Sequence, residues 1–182
     1  KLESRAKVAV MFSENIIKSR LEMLAKDIAR DAQKTPGDLL VISLMKGSFM
    51  FTSDLVRALS RHKVKLQLDF ITLSSYGKQK ESTGHVVIHS DTKEDIAGRK
   101  VLLVDDILES GRTLAYARNL VLARGALSVR IAVLLEKPNK RAVTIDADFV
   151  GFSTPDQFVV GYGLDYANRY RELPYIGVLQ QN

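Results

Sequence analysis

The middle of the sequence holds two short apolar runs, residues 101–104 and 129–135, on either side of a segment with helical periodicity. Within that segment, apolar residues recur three or four positions apart after Gly111 and stop near Arg124 and Gly125. A strand, a helix and a second strand in this order form a crossover unit with parallel strands and a right-handed connection. The chain is therefore expected to fold as an open α/β sheet.

Other segments add elements on both sides of this unit. Residues 13–34 have the spacing of an amphipathic helix with Ser13 as its N-cap. Residues 39–45 form an unbroken apolar run, which is typical of a strand buried on both faces. We also predict a helix at 49–60, a one-sided strand at 65–70, a long polar loop at 74–84, and short strands at 86–88, 149–152 and 158–161.

Size and composition exclude several classes of protein. With 182 residues, 46% of them apolar, the chain fits one compact domain. No apolar run approaches the roughly 18 residues that span a bilayer, and the apolar patch at 8–12 is too short for a signal peptide. Without cysteine there is no disulfide, thiolate metal site or cysteine nucleophile. We expect a cytoplasmic protein with no membrane partner.

The net charge of +6 is compatible with nucleic acid, an anionic membrane surface or a small polyanionic substrate. The basic residues are scattered, and the chain has neither a dense basic run nor the aromatic pattern of RNA-binding domains. Nucleic acid is therefore not the expected partner, and a small anion fits the charge better.

An acid pair and a polar loop follow the apolar run at 101–104. Asp105 and Asp106 come at the predicted strand end, and the loop 109–113 opens the next helix with Ser110, Gly111 and Thr113. Hydroxyls and free amides at a helix start form an anion site, and carboxylates accept hydrogen bonds from vicinal hydroxyls. Together they point to a sugar phosphate.

Two other interpretations fit the acid pair alone. It can be a solvated turn with Ser110 as a helix cap, or the magnesium site of a receiver-type regulatory domain. The complete stretch favours the sugar phosphate, because a receiver site does not require a phosphate-binding loop that opens a helix a few residues later.

The stretch VLLVDDILESGRTL resembles the phosphoribosyl pyrophosphate signature of type I phosphoribosyltransferases, and the rest of the chain resembles their hypoxanthine-guanine branch. The match runs in order from about residue 39 to residue 178. Its other motifs are the pyrophosphate loop at 43–47, the Ser-Tyr of a flexible lid at 73–76, a purine-reading lysine at Lys137, and the carboxyl-terminal hood at 148–152 and 155–166 with Arg171.

This resemblance implies one phosphoribosyltransferase domain over 1–182. Its core, at about 13–137, is an open, mostly parallel twisted sheet flanked by helices, and a small hood is formed by 138–182 with the N-terminal segment. It also implies the following roles: Asp105 and Asp106 for the ribose hydroxyls; Glu109, Ser110, Gly111, Arg112 and Thr113 for the ribose phosphate; Lys46, Gly47 and Arg171 for pyrophosphate; Ser75 and Tyr76 for the lid; Lys137, Phe158, Val159 and Asp165 for the purine; and Asp165, Asp105 and Asp106 for Mg²⁺.

The activity implied is purine salvage, in which a 6-oxopurine and phosphoribosyl pyrophosphate give IMP or GMP, with XMP as a third product, and pyrophosphate. The family position of the catalytic carboxylate is Glu109, where aspartate is usual. A homodimer or homotetramer is expected. The main alternative is a regulator that keeps the phosphoribosyl pyrophosphate site as a sensor and binds nucleic acid.

The residues alone allow plainer roles. Phe158 can belong to the core, Arg171 can be a surface cation, Lys137 can be a solvated strand end, and the loop after Ser75 can be an ordinary surface loop.

Overall fold

The structure is a computed structural model that describes residues 7–76 and 85–180, with Ser75 and Tyr76 described in their backbone only. The elements are β1 Val8–Phe12, α1 Glu14–Ala32, β2 Leu39–Met45, α2 Phe49–Arg61, β3 Leu66–Tyr76, β4 His85–Ser90, β5 Lys100–Leu108, α3 Arg112–Ala123, β6 Ser128–Glu136, a 3₁₀ turn Pro138–Lys140, β7 Phe149–Ser153, β8 Val159–Val160 and β9 Ile176–Leu179.

Two sheets organise these elements. The larger sheet has the order β4-β3-β2-β5-β6-β7, in which only β4 runs antiparallel to its neighbour. The smaller sheet has the order β1-β9-β8 and is antiparallel. Because β1 pairs with β9, the N-terminal segment lies beside the strands near the C-terminus. The predicted open, mostly parallel α/β sheet is confirmed.

The large sheet is covered on both faces, which explains the unbroken apolar run in β2. Alternate residues of β2 pack in opposite directions: Leu39 and Val41 join the core under α1 and α2, and Leu40 and Ile42 join the core under α3. The smaller sheet packs against the α1 and α2 side through Val159 and Ile176.

Several predicted bounds agree with the structure and two do not. The strand at 39–45 and the start of α2 are as predicted, and α1 begins after Ser13, whose Oγ accepts a hydrogen bond from the Ile16 amide. However, β5 does not end before the acid pair, because it keeps its pairing with β6 through Asp105 and Leu108.

The predicted loop at 74–84 also begins too early. β3 continues to Tyr76 because Ser74, Ser75 and Tyr76 pair with β4. The rest of that loop, residues 77–84, lies outside the described residues.

Strand β9 was not predicted, because the sequence around it was interpreted as a polar tail. None of the helices in the described ranges is long and apolar enough to cross a membrane.

Candidate active site

A cavity of about 270 Å³ opens at the carboxyl ends of β2 and β5, which lie side by side in parallel. The loop after β2, the end of β5 and the start of α3 line it. In open α/β sheets, ligands bind at this edge because strand ends and helix N-termini meet there. The cavity gathers Lys46, Gly47, both acids of the pair and much of the loop 109–113.

The acid pair is half-buried at the floor of this cavity. Burial raises the pKa of Asp105 well above its usual range, and the charge of the neighbouring Asp106 carboxylate raises it further. Burial also raises the pKa of Asp106. Two adjacent carboxyl groups that resist ionisation are suited to partners that donate hydrogen bonds or carry positive charge.

Two glycines bring three parts of the site into direct contact. A Cβ on Gly47 would lie 1.8 Å from Oδ2 of Asp106, so the loop after β2 rests on the acid pair. A Cβ on Gly163 would lie 2.4 Å from the Gly47 carbonyl oxygen, so the segment after β8 rests on the same loop. Larger side chains would separate these layers.

The loop 109–113 ends in the first turn of α3. Its N-cap, Gly111, has a φ of 80°, a left-handed conformation that favours glycine, and a Cβ there would lie 2.3 Å from Cγ2 of Ile145. The amide of Arg112 donates to Oγ of Ser110 at 3.4 Å, and the Thr113 side chain is half-buried in the cavity wall. The loop and the helix start together offer amides and hydroxyls to an anion.

Glu109 and Lys137 form an ion pair at the edge of the cavity. Nζ of Lys137 lies 2.7 Å from Oε1 of Glu109, and the lysine side chain is buried whereas the glutamate is 46% exposed. A second carboxylate, Asp156, lies 3.8 Å from the same Nζ and is bound by Lys140 at 2.6 Å. Lys137 is therefore not a solvated strand end.

Phe158 presents its ring to solvent, with 53% of the residue exposed. It meets the ring of Tyr166 edge to face, with centroids 5.6 Å apart. The next residue, Val159, is buried in β8, which lies at the edge of the small sheet and, within the described part of the chain, pairs with β9 alone. Phe158 is not a core residue, and an exposed aromatic face is suited to stacking on a planar base.

Arg171 is anchored rather than free at the surface. Its Nη1 donates to the Gly163 carbonyl at 2.6 Å, and its Nη2 lies 3.2 Å from Oδ1 of Asp165. The amide of Asn168 donates to the other oxygen of Asp165 at 2.8 Å. This network joins a predicted pyrophosphate ligand to a predicted metal ligand.

The three predicted metal ligands are not gathered into one cluster. Among residues 7–76 and 85–180, no group of three or more His, Asp or Glu side chains is close enough to hold a metal ion. Asp105 and Asp106 are adjacent, and Asp165 lies apart from them, beside Arg171. Mg²⁺ commonly binds through one or two carboxylates together with substrate phosphates, so this arrangement still fits it.

Of the predicted pyrophosphate and lid residues, Lys46 is described in full, whereas Ser75 and Tyr76 are described in their backbone only. Lys46 is exposed at the cavity, next to a cis peptide bond between Met45 and Lys46. Ser75 and Tyr76 form the last residues of β3, and their side chains are not among the described parts of the structure.

Three residues beside the site were not predicted individually. Asp156 lies 3.8 Å from Nζ of Lys137, and Arg141 donates to the Lys137 carbonyl. Glu136 pairs with Arg141 at 3.1 Å. The sequence only weakly indicates that these residues belong to the site, because each is one charged residue among several in a polar stretch.

The sequence model of the family described as "Phosphoribosyl transferase domain" matches residues 13–167, which include the cavity and most of its surroundings. The chain belongs to the phosphoribosyltransferase family. This membership bears out the resemblance and removes the receiver domain from consideration.

Curated relatives of this phosphoribosyltransferase carry a more specific name. A hypoxanthine phosphoribosyltransferase from Escherichia coli K12 is 45% identical over 170 residues, covering 93% of this chain and 94% of the relative. A bifunctional protein TilS/HprT from Listeria innocua is 42% identical over 94% of this chain, which spans 26% of that longer protein.

Solved structures agree with the fold. A Trypanosoma cruzi hypoxanthine phosphoribosyltransferase mutant, solved as a ternary substrates complex, has a TM-score of 0.90 at 40% identity and covers 98% of this chain and 97% of its own. A glutamic acid mutant from a study of an invariant aspartic acid in these enzymes has a TM-score of 0.90 at 42% identity, with the same coverage.

Proposed function

We propose that this chain transfers the 5-phosphoribosyl group of phosphoribosyl pyrophosphate to a 6-oxopurine, forming IMP from hypoxanthine or GMP from guanine and releasing pyrophosphate. The observation that carries the proposal is the buried Lys137 paired with Glu109 at the cavity that holds the acid pair. The names of the relatives support hypoxanthine as a substrate.

Phosphoribosyl pyrophosphate fits the cavity as a polyanion with two vicinal hydroxyls. Asp105 and Asp106 accept hydrogen bonds from the ribose hydroxyls, and the loop from Ser110 to Thr113 takes the 5-phosphate at the start of α3. Lys46, the Gly47 amide and Arg171 hold the pyrophosphate. Their fixed positive charges stabilise the negative charge that develops as pyrophosphate leaves.

The purine lies against Phe158, with its oxygen-bearing edge toward Lys137. The ammonium of Lys137 donates to the 6-oxo group, and the Val159 backbone, on the side of β8 away from β9, reads the opposite edge. An amino group at the same position, as in adenine, offers no acceptor to the lysine. We therefore propose selectivity for 6-oxopurines.

Glu109 acts as the proton acceptor for the purine. As pyrophosphate departs, the anomeric carbon becomes cationic and is attacked by N9 of the purine, while the proton on the other imidazole nitrogen, N7, must be lost. The Glu109 carboxylate is paired with Nζ of Lys137 at 2.7 Å. Purine binding separates the pair, so that the lysine turns to the 6-oxo group and the carboxylate to the neighbouring ring nitrogen.

Magnesium is part of the proposal. The hard carboxylate oxygens of Asp105, Asp106 and Asp165 are the kind of donor that Mg²⁺ prefers. When bound, the ion neutralises the diphosphate and makes it a better leaving group. The protein groups orient the substrate around it.

We propose that Ser75 and Tyr76 close over the bound substrates and exclude water. The position of these residues at the end of β3, next to the cavity-lining Leu73, supports this role. Alanine at both positions should raise hydrolysis of phosphoribosyl pyrophosphate relative to nucleotide formation. Unchanged turnover with undetectable hydrolysis would remove the lid from the account.

We further propose a homodimer or homotetramer in the cytoplasm. One face of β3 and β4 carries exposed Leu68, Phe70 and Val87, which are 37%, 42% and 38% exposed. Leu68 and Phe70 are neighbours on this face, and Val87 lies further along it, opposite Ser74. Apolar side chains that stay exposed among the described residues are suited to contact with a second copy.

The test is nucleotide formation from phosphoribosyl pyrophosphate with hypoxanthine, guanine, xanthine and adenine, each with Mg²⁺ and with a chelator. We expect magnesium-dependent product from hypoxanthine and guanine and none from adenine, and xanthine defines the breadth of the site. Tight binding of phosphoribosyl pyrophosphate with no turnover of any base would instead support the sensor.

A further inference from the structure

Arg141 contacts the backbone of the two segments that carry Glu109 and Lys137. It follows the turn Pro138–Lys140, and only 18% of its side chain is exposed. Its donors reach five acceptors: Nη1 to the carbonyls of Leu108 at 3.1 Å, Glu109 at 3.1 Å and Lys137 at 3.2 Å, Nε to the carbonyl of Ile145 at 3.1 Å, and Nη2 to Oε2 of Glu136 at 3.1 Å.

We propose that Arg141 is a positioning residue for the transfer reaction, which fixes the backbone of Glu109 relative to that of Lys137. The inference rests on the proposed function, in which these two side chains meet adjacent atoms of the purine. A planar guanidinium presents its donors in a rigid fork, so one side chain can set the spacing of several carbonyls. Small displacements of such groups slow catalysis.

All three guanidinium nitrogens of Arg141 are hydrogen-bonded within the protein. Glu136 accepts from Arg141 through Oε2 and from Ser153 Oγ at 2.7 Å through Oε1. The guanidinium thus has a carboxylate partner and four carbonyl partners. Arg141 therefore acts through Glu109 and Lys137 and does not bind the diphosphate.

The phosphate-binding part of the loop is held by other contacts. The Ala142 amide donates to the Ser110 carbonyl at 2.9 Å, and Gly111 packs against Ile145. A backbone amide and an apolar side chain make these contacts, and the Arg141 guanidinium takes no direct part in them. Loss of the guanidinium should therefore affect the purine step more than binding of phosphoribosyl pyrophosphate.

The test compares Arg141→Lys with Arg20→Lys. Arg20 is a matched control, because its guanidinium also donates to two backbone carbonyls, those of Val150 and Gly151, both at 2.7 Å. We expect Arg141→Lys to lower kcat with hypoxanthine by about tenfold to a hundredfold, with the KM for phosphoribosyl pyrophosphate within about twofold of wild type. Arg20→Lys should keep kcat.

Hydrogen exchange provides a second measurement that does not need activity. Peptides covering residues 106–112 and 134–138 should exchange faster in Arg141→Lys than in wild type, at a temperature where both are folded. The Arg20→Lys variant should leave those peptides unchanged.

Three outcomes would overturn the inference. They are a kcat equal to wild type, a loss of kcat that merely follows the fraction unfolded, and unchanged exchange in both peptides. If the wild-type chain forms no nucleotide, the proposed function fails by itself, and the exchange measurement alone decides whether Arg141 holds the two segments.

Discussion

At position 109, where the resemblance implies aspartate, the chain carries glutamate, and the extra methylene has a consequence for the site. The carboxylate reaches Nζ of Lys137 at 2.7 Å, and an aspartate would draw it back by about 1.5 Å. An ion pair with a buried lysine must be separated before a purine can bind. Glutamate here should therefore compete with the purine for Lys137.

We predict that Glu109→Asp lowers the KM for hypoxanthine and keeps or raises kcat, because Lys137 is freed while a carboxylate remains. Glu109→Ala should lower kcat by about a hundredfold to ten-thousandfold, the usual contribution of a general base. Steady-state kinetics of both variants provides the measurement. Full activity in Glu109→Ala would show that another group takes the proton.

Asp69 provides a prediction about stability and pH. Partial burial alone would raise the pKa of Asp69, but hydrogen bonds from Thr92 and from the amides of Phe70 and Lys93 outweigh it and hold the pKa below its usual range. The folded chain therefore binds this proton less readily than the unfolded chain. The stability contribution is present above the unfolded pKa of about 3.9 and is lost as pH falls through the lower, folded pKa.

We accordingly predict that Asp69→Asn lowers the free energy of unfolding at pH 7 by about 1 kcal/mol, or roughly 2 to 4 °C in Tm. The difference from wild type should shrink as pH falls below about 4. Thermal unfolding across pH measures it, with Asp146→Asn on the exposed surface as the control. A difference that grows at low pH would contradict the argument.

Among the elements, those with strong periodicity could be predicted closely. β2 is apolar throughout because helices cover both faces, and α1 has a clear apolar stripe and an N-cap. The end of β5 could not be predicted, because the acid pair resembles a turn in sequence and only pairing with β6 keeps it in the sheet. In the same way, pairing with β4 extends β3 to Tyr76.

A buried hydroxyl network beneath the loop after β2 leads to another prediction. Oγ of Ser43 lies 2.8 Å from Oγ of Ser48 and 2.7 Å from Oγ1 of Thr52, and all three residues are buried. This network connects β2 to α2 across the predicted pyrophosphate loop, so it should hold Lys46 and Gly47 in place.

We expect Ser43→Ala to lower the free energy of unfolding by about 1 to 3 kcal/mol, because it leaves buried hydroxyls short of a partner. The KM for phosphoribosyl pyrophosphate should rise as well. Urea unfolding and kinetics measure the two effects, and Ser60→Ala, at an exposed hydroxyl of α2, is the control. An unchanged KM in a destabilised Ser43→Ala would show that the network serves the fold alone.

At the scale of the whole molecule, motif order predicted the sheet and which segments approach the cavity. Contacts between distant segments could not be predicted. The pairing of β1 with β9 joins opposite ends of the chain, and the five contacts of Arg141 depend on how three loops meet. Such contacts leave no periodic trace in a sequence, because each depends on tertiary packing.

The exposed face of β3 and β4 gives a prediction about assembly. Phe70→Lys should shift the sedimentation of the chain toward the monomer, since a charge would have to be buried between copies. Leu127→Lys, at a residue that is 63% exposed in the loop before β6, is the matched control and should leave sedimentation unchanged. Identical sedimentation of Phe70→Lys and wild type would remove this face as the contact between copies.

The central claim is that the cavity joins a 6-oxopurine to phosphoribosyl pyrophosphate with Lys137 reading the 6-oxo group. Its most direct test is kcat/KM for hypoxanthine, with Mg²⁺, in wild type and in Lys137→Met, which keeps the length of the side chain without its charge. We predict that wild type forms IMP and that the variant loses about a hundredfold or more in kcat/KM. Equal kcat/KM in both chains, or no IMP from wild type, would contradict the account.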